Sequence, residues 1–119
     1  MKITDDQIKL AQNYVCLSNK HDLNAILLMF DNNATYNSSQ TGKYIGKKAI
    51  CDMMRKFFVL YNDVTWNVVN HKVIEKGSIE FSFSMHATNS QTGEATNRHG
   101  IERITFTTDN LISHIIVSS

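Results

Sequence analysis

The chain contains no proline, and nothing about function follows from that. Its other absences say more. No sign of charge dominates: 12 Lys and Arg stand against 11 Asp and Glu. The basic stripe of a nucleic-acid binder is therefore missing, as is any like-charge run that would read as a tail. The longest wholly apolar run is a handful of residues near Ala25 to Phe30, too short for a membrane-spanning helix. The opening residues, MKITDDQIK, lack the apolar stretch and small-residue cleavage site of a secretory leader, so a cytoplasmic protein is expected. Asn33-Ala34-Thr35 and Asn37-Ser38-Ser39 fit the glycosylation pattern, but in an Asn-rich chain without a leader they read as chance matches.

Cysteine is scarce too. Cys16 and Cys51 are the two present, no CxxC spacing exists, and both fall in apolar helical patterns, which predicts reduced, buried thiols. No two histidines have an HxH or HExxH spacing, so neither a metal site nor a cofactor is expected. A GxSxG elbow is also lacking, and neither cysteine has a histidine partner in view, which argues against nucleophilic catalysis.

What is present suits one domain spanning residues 1–119. Hydrophobic residues make up 42% of it, enough for a real core. Ile3 to Ile8 reads as a helix start: Thr4 can cap, Gln7 can bond back, and Ile3 can staple to Ile8. Apolar residues then recur at helical spacing to Asn19-Lys20. Asp22 can cap a short second helix carrying Leu23, Ile26, Leu27 and Phe30, ended by Asp31-Asn32-Asn33. A short strand over Ala34 to Asn37 and a loop over Ser38 to Gly42 follow. After Gly46 a third helix carries Ile50, Met53, Met54, Phe57 and Tyr61 on one stripe.

Beyond Asp63 the period becomes two. Val64 to Ile74 reads as a strand. Ile79, Phe81, Phe83, Met85 and Ala87 alternate with Glu80, Ser82, Ser84 and His86, which predicts a half-buried strand with a clear inner face. Glu94 to Thr108 reads as a long strand with Gly100 as a bulge or bend, and Leu111 to Val117 closes the sheet. The order is helix, helix, short strand, helix, then four antiparallel strands. That predicts an α+β fold in which a curved, mostly antiparallel sheet packs on three helices. Such a sheet leaves a cone with an apolar pocket at its mouth.

These elements resemble the nuclear-transport-factor-two-like superfamily, in its ketosteroid-isomerase and SnoaL-like (polyketide cyclase-like) branch. The matching stretches are Gln12 to Val15, Asn19 to Leu23, Ile26 to Phe30, Asp31 to Tyr36, Gly46 to Ile50, Gly100 to Phe106 and Asp109 to Ile112. They specify the fold better than the reaction, because this fold hosts enzymes, binding proteins and dimerisation modules. In ketosteroid isomerases an Asp base works with an oxyanion hole of a Tyr and a protonated Asp. The resemblance implies that Tyr14 stands where the Tyr does and Glu102 where the protonated acid does. Ser38 stands where the base does, and a serine hydroxyl is no base near neutral pH.

Tyr14 either fills the core with its hydroxyl bonded or turns that hydroxyl to the pocket. Glu102 shares parity with Ile104 and Phe106, which predicts an inward carboxylate with a raised pKa. A register change after Gly100 would instead turn it outward, toward Arg103 or Arg98. His114 shares parity with Ile112 and Ile116 and can replace the missing base, or it is a lone histidine satisfied by one neighbour. His86 should face the other side of the sheet, and His21 should be solvated. Ser38, Met54, Phe57, Trp66, Phe83 and Phe106 are expected to meet a ligand, amid a wall that also includes Met53, Phe81 and Met85.

Three functions compete. One is acid–base catalysis of isomerase, cyclase or dehydratase type on a hydrophobic, carbonyl-bearing substrate. Another is binding without catalysis. The last is a homodimerisation or scaffold module with no pocket function. Whatever the function, the resemblance implies a homodimer through the outer sheet face, with Ser82, Ser84, His86, Thr105 and Thr107. No nucleic-acid or membrane partner is expected.

Overall fold

The computed structural model describes residues 3–75 and 77–119, and the side chains from residue 6 onward. The cap and staple expected of Ile3 and Thr4 lie outside the described side chains. Three helices and six strands follow in order: α1 (Ile3–Asn19), α2 (Leu23–Leu28), β1 (Phe30–Ser38), β2 (Gly42–Ile45), α3 (Lys47–Leu60), β3 (Thr65–Glu75), β4 (Ser78–Thr88), β5 (Ala95–Phe106) and β6 (Ile112–Ser118). The strands form one sheet in the order β2-β1-β6-β5-β4-β3. It is antiparallel except where β6 runs parallel to β1. The chain lays down one edge, crosses through α3 to the other, and returns strand by strand to meet β1.

Local chemistry explains most boundaries. The Asp22 carboxylate accepts the Ala25 N–H and starts α2, as an N-cap should. Gly46 begins α3 at φ 92°, a left-handed conformation that glycine adopts without strain. At the end of α1, the Asn19 amide pairs like a strand residue with Trp66, accepting its N–H at 2.7 Å and donating to its carbonyl at 3.0 Å. Beside it the His21 ring bonds the Val64 carbonyl at 2.8 Å and stacks on Phe58. His21 thus ties the turn after α1 to the residue just before β3 and is half-buried, not the solvated residue expected.

β4 has the inner face that its alternation predicts: Ile79, Phe81, Phe83, Met85 and Ala87 are all buried. Three segments differ from expectation. Phe30 opens β1 and does not extend α2. Asp31 accepts the Asn33 N–H at 3.0 Å, and this local turn sits inside a register shift between Phe30 and Thr35, so the polar triplet bends a strand where it was read as ending a helix. β2 falls partly in the expected loop; four residues at a sheet edge are too few to display a period of two. Cys16 is exposed, because the buried side of α1 runs through Gln7, Ala11, Tyr14, Val15 and Ser18, and Cys51 is half-buried, beside the buried Ile50 and Met54 of α3.

Gly100 is not a bulge. Register with β4 is continuous through Phe83↔Gly100. A Cβ there would fall 2.0 Å from the Ser118 carbonyl oxygen, so glycine is needed because the end of β6 crosses directly over it. Real irregularities lie elsewhere. Asn70, at φ 61°, sits in a register shift of β3 between Val69 and Lys72. Another shift separates Thr105 from Phe106 where β5 meets β6. Such insertions increase local bend and twist and help the sheet curl around α1 and α3.

Candidate functional site

The concave face of the sheet and the helices above it enclose a cavity. Tyr14, Val15 and Ser18 of α1 form one side, and Met53, Met54, Phe57 and Phe58 of α3 the opposite side. Trp66, Val68, Phe83 and Met85 line the sheet wall. Gln40 and Thr41, in the β1–β2 turn, border it as well. This slot holds about 800 Å³ of empty space, its open mouth included. Phe57 and Trp66 lie stacked in its wall, with ring centres 6.1 Å apart, a surface suited to a flat ring.

Continuous β4–β5 register settles which way β5 side chains point. Glu102 pairs with Phe81 and Ile104 with Ile79, so all four face inward. Glu102 is 7% exposed and borders the cavity. Among the described residues it has no ion-pair partner. Burial removes water from the carboxylate and raises its pKa from 4.5 to about 8, because the charged form loses most by desolvation. Near neutral pH the group is mostly protonated, and its O–H can donate a hydrogen bond.

Two tyrosines accompany it. Tyr14 is buried, and its pKa is raised well above 10 by burial first, then by the nearness of Tyr36 and Glu102. Tyr36, which sequence reasoning missed as a site residue, also lines the cavity. Burial and then Glu102 push its pKa up as well. Both phenols stay neutral and act as donors. The signal that could have revealed Tyr36 is its place two residues before Ser38 on β1, on the same inward side. Ser38 borders the cavity too, and its hydroxyl accepts the Gln40 N–H at 3.2 Å, which shapes the turn.

Of the six expected ligand contacts, Ser38, Met54, Phe57, Trp66 and Phe83 line the cavity. Phe106 does not; it is buried in the core beyond the end of the slot. His114 does not reach it either. The shift between Thr105 and Phe106 inserts a residue in β6, so Ile112, Ile115 and Val117 face inward while His114 pairs with Thr105 and bonds the Thr35 hydroxyl. Parity with Ile112 is lost across that insertion, and the histidine lies on the outer side. Arg98, unassigned from sequence, borders the cavity on the same side of β5 as Glu102. Among the described residues no three or more His, Cys, Asp or Glu side chains gather as metal ligands.

Residues 11–115 match the family model described as a SnoaL-like domain. The chain belongs to the SnoaL-like family. Its fold is shared with solved structures of low sequence identity. One, from Xanthomonas campestris pv. campestris, is a protein proposed to be a polyketide cyclase: 16% identity over 96% of this chain and 90% of that one, with a TM-score of 0.84. Another is SalBIII, an epoxide hydrolase/cyclase-like enzyme with a role in pyran ring formation in the polyether salinomycin: 17% identity, 94% and 88% covered, TM-score 0.84. A third is an NTF2-like protein of unknown function from Exiguobacterium sp. 255-15: 12% identity, 89% and 93% covered, TM-score 0.78. A sequence search of curated proteins found no match. Among the described residues no helix is long and apolar enough to cross a membrane.

Proposed function

We propose that this SnoaL-like domain binds a hydrophobic, carbonyl-bearing small molecule in the slot and moves a proton on it. One observation carries the reading: a buried carboxyl that forms no ion pair among the described residues, at an apolar cavity flanked by two neutral phenols. Such a group costs stability and is well suited to acid–base work near neutral pH. In the ionised minority Glu102 would take a proton from carbon next to the carbonyl. Tyr14 and Tyr36 would donate hydrogen bonds to the enolate oxygen, and the protonated Glu102 would return the proton elsewhere on the same carbon framework. The net change is an isomerisation, with the base regenerated. A ring closure or elimination would draw on the same three groups. Glu102→Gln should reduce turnover of a found substrate by about 100- to 10,000-fold, with Tyr14→Phe weaker; full activity in both variants would defeat the proposal.

A second reading, binding without catalysis, draws on Ser38 at the place of the family's base. It predicts that a captured ligand leaves chemically unchanged and that Glu102→Gln alters affinity alone. In either case the outer sheet face offers a surface for a second copy. Val69 and Ile101 flank Ser82 there and are 58% and 46% exposed. A homodimer through this face should sediment at twice the chain mass, and Ile101→Lys should split it. Two unpaired cysteines fit a cytoplasmic setting, which fractionation would test.

A further inference from the structure

Among the titratable groups of the slot, Arg98 is the one set apart. It lies on the inward side of β5 four residues from Glu102, roughly 13 Å along an extended strand. Its row across the sheet is Trp66, Met85 and Arg98, so a guanidinium stands at the end of an apolar shelf. Arg98 is partly buried. Among the described residues the ion pairs are Arg55 with Asp52, Lys72 with Glu80 and Arg103 with Glu80, and Arg98 joins none. Glu102, which borders the same slot, is in none of these pairs either. Between the two on the strand stands Gly100, whose inward side is filled by the main chain of Ser118, so the two side chains meet the slot on either side of that crossing.

We infer that the ligand of this slot is an amphipathic organic anion, a flat apolar framework whose carboxylate binds Arg98 while its other end lies against Glu102, Tyr14 and Tyr36. The inference rests on the pocket reading above and adds the substrate class. The physical grounds are charge and reach. A partly desolvated guanidinium that has no counter-ion among the described residues gains most from a carboxylate, whose two oxygens match its paired N–H groups. With Glu102 mostly protonated and both tyrosines neutral, Arg98 leaves the slot with a positive field, which attracts anions and disfavours cations. The two groups border one cavity, and a molecule of two fused rings or more, lying over Met85 and Phe83 beside the Ser118 crossing, can have its acid at one end and its reacting carbon at the other. Arg98 would set orientation and specificity without touching the reacting atoms.

The test uses two probes with one ring system, 2-naphthoate and the neutral ketone 2-acetonaphthone. Both are titrated into the intact protein at pH 7 with the indole N–H of Trp66, the single tryptophan, as NMR reporter. The wild type should bind the acid about tenfold more tightly than the ketone. Arg98→Gln should bring the acid down to the ketone's affinity and leave the ketone unchanged, while Arg98→Lys should keep part of the preference. Equal affinities in the wild type, or a preference that survives Arg98→Gln, would overturn the anion inference and leave the pocket reading standing. Failure of both probes to shift Trp66 would overturn both.

Discussion

Glu80 and Glu102 lie on neighbouring strands of one sheet, and their carboxyls behave oppositely. Glu80 points outward, where Arg103 at 3.2 Å and Lys72 at 3.4 Å hold its pKa below the usual carboxylate range. Glu102 points inward, and burial raises its pKa to about 8; among the described residues it forms no ion pair. Arg103 is its immediate neighbour in sequence, yet serves the other acid because successive strand residues face opposite sides. The face a side chain takes, and not the charges next to it in sequence, sets its protonation.

The largest test of this contrast is in the core beneath Glu102. Phe81 is 1% exposed, and Phe81→Ala should cost about 3–5 kcal/mol in denaturant unfolding; the outward Ser82→Ala next to it should stay within about 0.5 kcal/mol. Comparable losses would mean that the faces are not as distinct as drawn.

Next comes the pH dependence of stability. Because the folded pKa of Glu102 is raised, the unfolded chain loses this proton first, near pH 4.5, and the folded chain holds it to about 8. Stability therefore falls as pH rises through that window and levels off above it, by at most a few kcal/mol. Glu102→Gln removes this contribution: it should match the wild type near pH 4 and exceed it at pH 9 in melting temperature. Parallel curves would place the carboxyl in water.

Gly100→Ala should cost about 1–3 kcal/mol and loosen the end of β6, seen as faster amide exchange at Val117 and Ser118. Unchanged exchange would mean that the crossing chain moves aside freely. The smallest effect belongs to the outer pair. Glu80 carries a depressed pKa, so its contribution is present at neutral pH and lost as pH falls through the folded pKa. Glu80→Gln should lower the melting temperature slightly at pH 7, less in high salt, and not at all near pH 2.

How much of this was legible in sequence depended on local signals. The alternation of Ile79 to Ala87 marked the inner face of β4, and continuous pairing carried that reading across to Glu102. His114 was misplaced because one inserted residue in β6 breaks parity without leaving a mark in composition, and Phe106, which does face inward, lies in the packed core where alternation alone does not mark the end of the cavity. Tyr36 went unseen because β1 is read through polar Asn residues on its other side, and its meaning depends on Glu102, 66 positions later in the chain. Arg98 was considered only as a partner for Glu102; that it faces the slot unpaired is a property of the assembled sheet. The exposure of Cys16 follows from a helix face whose buried members include Gln7 and Ser18, polar residues that a hydrophobic pattern does not count.

Proton transfer in the slot depends on the protonation of Glu102, and a carbon-13 NMR titration of its side-chain carboxyl, with Glu102→Gln to assign the resonance, reads it directly. A midpoint near 8 is the predicted result. A midpoint near the ordinary value of about 4.3 would put the carboxylate in contact with water or a cation and contradict the proposed proton-moving site.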